Sequence, residues 1–548
     1  MIGSASLGVA LAAAGQGQTM QGGGGRRPSR GDAGTCSTPR SAVARTQYGK
    51  VRGFVADDVL HFKGIPYGDD TGGANRWLPA KAPPKWDGEY PALAYGANCP
   101  QLLHNFRDIE HTFLQQWTDG FVGEDMLKLN LWTPSLSGSR PVMVYFHGGG
   151  FSFGSAYELE SQHGANMARN HDVVQITVNH RLNVLGFFDL AEFGGRDYAQ
   201  SVNCSMMDCV AALRWVQENI ASFGGDPDRV LIYGQSGGGA KVATLLGMPS
   251  AKGLIHRGIA QSGGGGNIPS AEQTRDYTRR LIKDLGVRDM ADLQKMDWAR
   301  LNATATKVAN DISGAPNMGA MFLTPPGSTP PARVGFTPTV DGEMIKVRSF
   351  FDVAPDEART VPLMVGSVTE EGAQLSRNPT ESEWRTQLGD VLGATTANTL
   401  IDAMKRAHPE KSIRTLSYGV SGLGARNNVV RAARLKHAQG GAPAYQYLFQ
   451  WQSPMLDGLA GAWHTAELAF CFDNTARCNQ GTGNTPAAQA LATKMAGAWA
   501  AFAHAGNPSQ PGLAWEPSDP VRNQTMIFDD RCGMMDDPEG GLRRILQA

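Results

Sequence analysis

The 548-residue chain predicts an α/β fold, a central and mostly parallel sheet covered by helices on both faces. Three observations predict it. Short, continuous apolar runs recur along the chain and several of them stop at glycines. Longer stretches with helical spacing separate these runs. No period of 20–50 residues repeats, so the alternation is that of one layered domain. Strands buried on both faces of a parallel sheet read as unbroken apolar segments, which is the form these runs take.

From about Tyr48 onward the elements follow in order. Val142–Phe146 is an apolar strand that ends in glycines, and 173–178 is a second. A helix is expected over Asp208–Asn219. Val230–Tyr233 is the next strand; it ends in glycine and leads into a helix over 240–246. Later strands are expected at Pro362–Val365, Ala444–Trp451 and Thr525–Phe528, with a helix over 487–504. Residues 270–350 and 375–440 read as helical insertions that cover one end of the sheet. The Pro/Gly-rich stretch Pro316–Arg333 reads as a surface loop inside the first insertion.

Composition excludes several classes of protein. Apolar residues make up 41% of the chain, with 11 Trp and 21 Phe, and only 18% of residues are charged, so a large core is available. Lys plus Arg number 50 against 51 Asp plus Glu, which leaves no basic footprint for nucleic acid. A soft figure of ~150 residues per domain would divide this length several ways, but one α/β domain with insertions also fills it. We read 38–548 as that single domain.

The first 37 residues read differently. Ser4–Ala14 is a short run of small and apolar residues, too short to span a bilayer and similar to the apolar region of a secretory signal peptide. It lacks the basic residue expected near Met1. A Gly/Arg/Ser-rich stretch with no core-forming residues follows it. Residues 1–37 are therefore expected to be a processed or disordered leader, and the protein secreted or periplasmic. No other apolar run is long enough for a membrane helix.

Seven cysteines leave at least one thiol outside any internal pairing. Cys204 with Cys209 and Cys471 with Cys478 are near enough in sequence to close small loops, and are the candidate pairs. No C-x-x-C, H-E-x-x-H or EF-hand pattern occurs, so neither metal nor cofactor is expected.

The chemistry centres on Gly234-Gln235-Ser236-Gly237-Gly238, which lies between the strand at Val230 and the following helix. A sharp strand-to-helix turn lifts a serine hydroxyl above the sheet and needs glycines where side chains would strike neighbouring backbone. The helix N-terminus also brings backbone N–H groups and partial positive charge beside Ser236. The same segment, through Lys241, superficially matches a phosphate-binding loop. That reading fails on spacing: Ala240 separates the last glycine from Lys241, and Val242 stands where a magnesium-binding hydroxyl is needed.

Upstream, His147-Gly148-Gly149-Gly150-Phe151 follows a strand, and consecutive glycines there can aim N–H groups at an oxyanion. A serine nucleophile also needs a base and an acid, in the chain order Ser, Asp or Glu, His. Among the histidines after Ser236, His256 is too close to the turn and His504 sits at a helix end. His408 and His437 lie in polar helical stretches. His464 falls in a loop after the strand ending at Trp451, where a catalytic histidine belongs. The acid is Glu370 or Glu371, both just after the strand at Pro362–Val365.

The ordered motifs resemble those of the type-B carboxylesterase family, which includes cholinesterases and para-nitrobenzyl esterases. They are Phe62–Tyr67, Glu124–Trp132, His147–Phe151, Asn179–Phe187, Ala212–Ile220, Phe223–Pro227, the Ser236 turn and Gln261–Gly263. The resemblance runs from about Tyr48 to Asp537. It implies an α/β-hydrolase fold and hydrolysis of a small-molecule carboxylic ester. It also implies Glu371 as the acid, His464 as the base, and Gly149, Gly150 and Gly237 as the oxyanion hole. Arg76, Glu124 and Asp125 are expected in structural ion pairs. Glu467 is either a group that tunes the site or a solvated or salt-bridged helix residue.

Three departures from the family pattern stand out. Gln235 replaces the usual Glu before the nucleophile. Met126 replaces a usual Cys, which leaves Cys99 without its customary partner. Ser236-Gly-Gly-Gly239 replaces Ser-Ala-Gly and resembles a secreted bacterial subgroup that includes mycotoxin esterases. The alternative function, a non-enzymatic adhesion or binding protein on the same fold, is disfavoured because all three triad positions are occupied.

Overall fold

The structure, a computed structural model, describes residues 35–38, 42–102, 109–314 and 322–547. The expectations for the first 34 residues lie outside these, as does the start of the Pro316–Arg333 loop.

Eleven described strands form one sheet. In chain order they are β1 (Phe54–Ala56), β2 (Val59–Pro66), β3 (Lys128–Thr133), β4 (Arg140–Phe146), β5 (Val174–Val178), β6 (Gly225–Gln235), β7 (Arg257–Gln261), β8 (Leu363–Val368), β9 (Ala444–Phe449), β10 (Gln524–Phe528) and β11 (Gly533–Asp536). Their order across the sheet is β11-β10-β9-β8-β7-β6-β4-β5-β3-β2-β1. Pairing is parallel from β10 through to β5 and antiparallel at both margins. A smaller sheet joins Val43–Arg45, Lys50–Arg52 and Glu89–Pro91.

Side-chain alternation explains why the central strands are apolar throughout. Val142, Val144 and Phe146 of β4 enter one buried cluster, together with Val230 and Ile232 of β6. Met143 and Tyr145, with Leu231 and Tyr233, enter the other. Each face of the sheet thus has its own core, and successive residues serve opposite layers.

The expected helices are present and somewhat longer than predicted. They are α1 (Cys204–Asn219), α2 (Gly237–Leu245), α3 (Ala271–Leu285), α4 (Trp298–Ser313), α5 (Glu381–Leu392), α6 (Ala394–Ala407), α7 (Ile413–Ala438) and α8 (Pro486–Ala505). Helices α3 and α4 make up the first insertion and α5 to α7 the second. Sequence supports their ends: Ser270 and Thr380 close capping boxes, and Gly286 and Gly506 end α3 and α8 in the left-handed region. No described helix is long and apolar enough to cross a membrane.

Two ion pairs fix the frame around the site. Arg181 grips Asp208 through Nε and Nη2 at 2.8 and 2.6 Å, with both side chains buried. Arg76 donates to Glu124 at 2.7 Å through Nε, the structural role expected of that pair.

The cysteine pairings are corrected. All seven cysteines are free thiols. Cys204 and Cys209 lie on one helix, α1, where five residues of rotation turn their side chains to different faces. Cys471 faces Gln261, and Cys478 lies apart from it on the other side of a short turn.

Candidate active site

The parallel register brings strand ends level. Gly234 of β6 lies opposite Phe146 of β4, Gln235 opposite Gln261 of β7, and Gln261 opposite Gly366 of β8. The carboxyl ends of these strands form a shared rim, the usual place for a ligand crevice in such sheets.

Ser236 sits on that rim between β6 and α2 with φ 59° and ψ −123°, a conformation that side-chain-bearing residues adopt at a cost of about 1–3 kcal/mol. Backbone holds it there: its N–H donates to Gln261 O at 2.7 Å, and its carbonyl accepts from Ala240 at 3.0 Å. The glycine two residues on is obligatory, because a Cβ at Gly238 would drive into the Phe146 carbonyl oxygen.

The glycine loop after β4 packs against this turn. A Cβ on Gly148 would touch the Ser236 Cβ at 3.5 Å, and one on Gly237 would lie 2.6 Å from the Gly150 nitrogen. Gly149 has φ +78°, and its carbonyl takes the amides of Ser152 and Phe153 at 3.0 and 3.2 Å. Among the described residues, the amides of Gly149, Gly150 and Gly237 donate to no backbone carbonyl. Gly237 and Gly150 thus pack closely at the Ser236 turn, and the helix N-terminus adds its positive end there.

His464 and Glu371 meet. His464 Nδ1 makes a short hydrogen bond to Glu371 Oε2. The Glu371 carboxylate is buried, and its other oxygen accepts from the Val368 amide at 3.2 Å. Glu370 turns away from the imidazole. Its Oε2 accepts from Thr369 Oγ1 at 2.6 Å and the Ala462 amide at 2.9 Å, and Oε1 faces Lys411 at 3.5 Å. It therefore ties the loop that carries His464 to the end of β8. Gln235 points its amide nitrogen at the imidazole, 3.4 Å from Nδ1 and 3.3 Å from Nε2.

Two buried ionisable groups lie close to this set. Glu467 is fully buried, neither solvated nor salt-bridged as a surface helix residue would be. Burial first, and the Glu371 charge second, push its carboxyl up to about 8. Lys241, one turn into α2, donates to the carbonyls of His147 and Gly148 at 2.9 and 3.4 Å, and its ammonium lies 5.0 Å from the Phe151 ring centre. Burial lowers its pKa to about 8. His147 and His180 stack beside it at 4.8 Å, and burial followed by the Lys241 charge keeps both imidazoles well below their usual range.

A cavity of about 590 Å³ opens at Ser236, Gly150 and Gly237 and runs beneath the first insertion toward α7 and the C-terminal Gln547. Its size suits a small or medium organic ligand. Among the described residues no cluster of three His, Cys, Asp or Glu is arranged to hold a metal.

A strained serine between β6 and a helix, beside a glycine loop, with a Glu–His pair arriving from later strands, defines an α/β-hydrolase. Comparison with known proteins carries this further. Residues 40–538 match the model of the carboxylesterase family, and the chain belongs to that family of carboxylic ester hydrolases. The para-nitrobenzyl esterase of Bacillus subtilis is 30% identical over 92% of this chain and 98% of that one. The fumonisin B1 esterase of Sphingopyxis macrogoltabida is 30% identical over 90% and 87%. Among solved structures, an esterase from Clostridium hathewayi superposes with a TM-score of 0.79, at 33% identity, covering 94% of this chain and 99% of that chain.

Proposed function

We propose that the chain hydrolyses small to medium carboxylic esters through Ser236, His464 and Glu371, with the amides of Gly149, Gly150 and Gly237 as oxyanion hole. Ser236 Oγ attacks the ester carbonyl while His464 Nε2 takes its proton. Glu371, held at Nδ1, fixes the tautomer and offsets the imidazolium charge. The three amides stabilise the oxyanion; one such donor is worth about 2.7–4 kcal/mol. The C–O bond to the alcohol then breaks as His464 returns the proton to it. Water repeats the sequence on the acyl-enzyme, releasing the acid and restoring Ser236.

The observation that carries this reading is the His464–Glu371 contact on the rim where Ser236 stands. Its test is Ser236→Ala, which is expected to lower p-nitrophenyl butyrate hydrolysis on the order of 10⁴-fold or more while the protein stays folded. Retained turnover by the folded variant refutes the assignment. A wild-type protein that neither turns over esters nor takes up a fluorophosphonate at Ser236 would instead be a binding member of the fold. Residues 38–548 would act as the catalytic unit and 1–37 as an export leader; N-terminal sequencing of secreted protein tests the latter.

A further inference from the structure

The cavity beside Ser236 is uneven in charge. Among the described residues that line it, the only charged side chains are Arg333 and Arg431, and none is acidic. Residues 315–321 carry no Asp or Glu in the sequence.

Neither arginine has a carboxylate partner among the described residues. Arg431 lies over the Phe351 ring, its guanidinium carbon 4.7 Å from the ring centre. Arg348 stacks on the same ring at 5.4 Å, but it is satisfied: it pairs with Asp352 at 2.6 Å and with Asn267. Asp352, the carboxylate that acts on Arg431 electrostatically, is thus already engaged. Arg333 spends one N–H on the Gly314 carbonyl at 3.0 Å. Both guanidinium groups are half-buried, and burial pulls each below its ordinary range.

Arg181, which is fully buried, is paired with Asp208. Two partly desolvated guanidinium groups without counter-ions are unfavourable alone and become favourable when a ligand brings the anion. Cation–π stacking holds Arg431 without using its donors, so its planar fork stays available for a carboxylate.

We propose that the ester cleaved at Ser236 carries a second, anionic group, a carboxylate, which Arg333 and Arg431 bind while the ester carbonyl meets the oxyanion amides. The substrate class is then esters of polycarboxylic acids or of carboxylate-bearing alcohols. This rests on the Ser236 reading above. Hydrolysis converts such an ester and water into the free alcohol and the free acid, and the distal carboxylate is unchanged.

The test compares charged and neutral esters of one shape. On the acyl side the pair is p-nitrophenyl hydrogen adipate and p-nitrophenyl hexanoate. On the alcohol side it is 4-(butyryloxy)benzoate and its methyl ester. In one of the two arms the wild-type enzyme is expected to favour the anion by about tenfold or more in kcat/KM, and the arm shows which side of the ester bears it. Arg431→Gln and Arg333→Gln should each lower that ratio by ~10–100-fold, the scale of one charge-assisted hydrogen bond. Arg431→Lys should restore part of it. Neutral esters preferred in both arms, or a ratio unmoved by both glutamine variants, overturns the proposal. Should Arg431→Gln fail to fold, the wild-type comparison decides alone. Failure of the Ser236 reading looks different, because then Ser236→Ala retains activity on both members of a pair.

Discussion

Replacing Gln235 by glutamate puts a carboxylate where an amide nitrogen now lies 3.3 and 3.4 Å from the ring nitrogens of His464. At that separation an effective dielectric constant of ~20 gives an attraction of about 5 kcal/mol for a charged imidazole, a ceiling of roughly 3.5 pH units. The ceiling is not reached. Gln235 is buried, so the new charge is desolvated, and the Glu371 carboxylate on the same imidazole lies nearby to oppose it. A net rise of about 1–2 pH units for His464 remains, in the range that a single opposite charge produces. Ester hydrolysis needs the neutral imidazole as base, so the acid limb of the kcat/KM profile moves to higher pH. At pH 6 the rate should fall by roughly tenfold for each pH unit that the limb moves, while the alkaline plateau stays within about twofold. The assay is p-nitrophenyl ester hydrolysis from pH 5 to 9 with the parent and the Gln235→Glu enzyme side by side. An acid limb that stays within about 0.3 pH units, or moves down, refutes the reasoning that this side chain acts on the imidazole.

Two further perturbations separate the buried groups around the site. Glu467 titrates near 8 in the folded protein against 4.5 ordinarily, so the fold holds a proton that the unfolded chain has lost between those values. Stability contributed by that proton is full below about 4.5 and declines as pH rises toward 8. Glu467→Gln removes the decline, so its Tm relative to the parent should grow from pH 5 to pH 8.5; a difference flat with pH counts against a buried neutral acid. Lys241→Met removes the ammonium that draws on the Gly148 carbonyl, whose own peptide carries the Gly149 N–H. Loss of about 1–2 kcal/mol of oxyanion stabilisation is expected, seen as a five- to thirtyfold fall in kcat with matching loss of trifluoromethyl ketone affinity. A change in KM alone would show that Lys241 serves packing only.

The legible part of this site is the part whose chemistry is local in sequence. Gly234 to Gly238 between a β-run and a helix-run forces the turn at Ser236, and the glycines after Phe146 force a loop without side chains. His464 is legible by position, being the histidine that follows a strand end. Glu370 and Glu371 are not separable by residue chemistry, since both follow β8 and only the backbone path decides which meets the imidazole. Family likeness, not spacing, points to Glu371. Glu467 and Lys241 hide for a shared reason: each has the spacing of a polar helix residue, and burial depends on what crosses above it. Glu467 is fully buried, and the His147–Gly148 carbonyls close over Lys241. Arg333 lies in a proline-rich loop that reads as surface, and Arg431 in a stretch that reads as a helical insertion over the sheet. The short antiparallel strands β1 to β3 also escape, because margins of a sheet lack the continuous apolar run of its centre.

Disulfide bonds play no part in this fold, and its thiols differ sharply in access. Cys36 is exposed, Cys532 is half-covered and the other five are buried. Cys36 pairs by backbone with Val55 on β1, the end strand, five positions across the sheet from β6. At ~4.8 Å per strand that is about 24 Å from the strand that carries Ser236. Thiol-directed coupling to a bead or electrode would therefore grip the molecule by one margin, with the linker well away from the mouth that admits ester. Because no bond must form by oxidation, such material can be made in a reducing host.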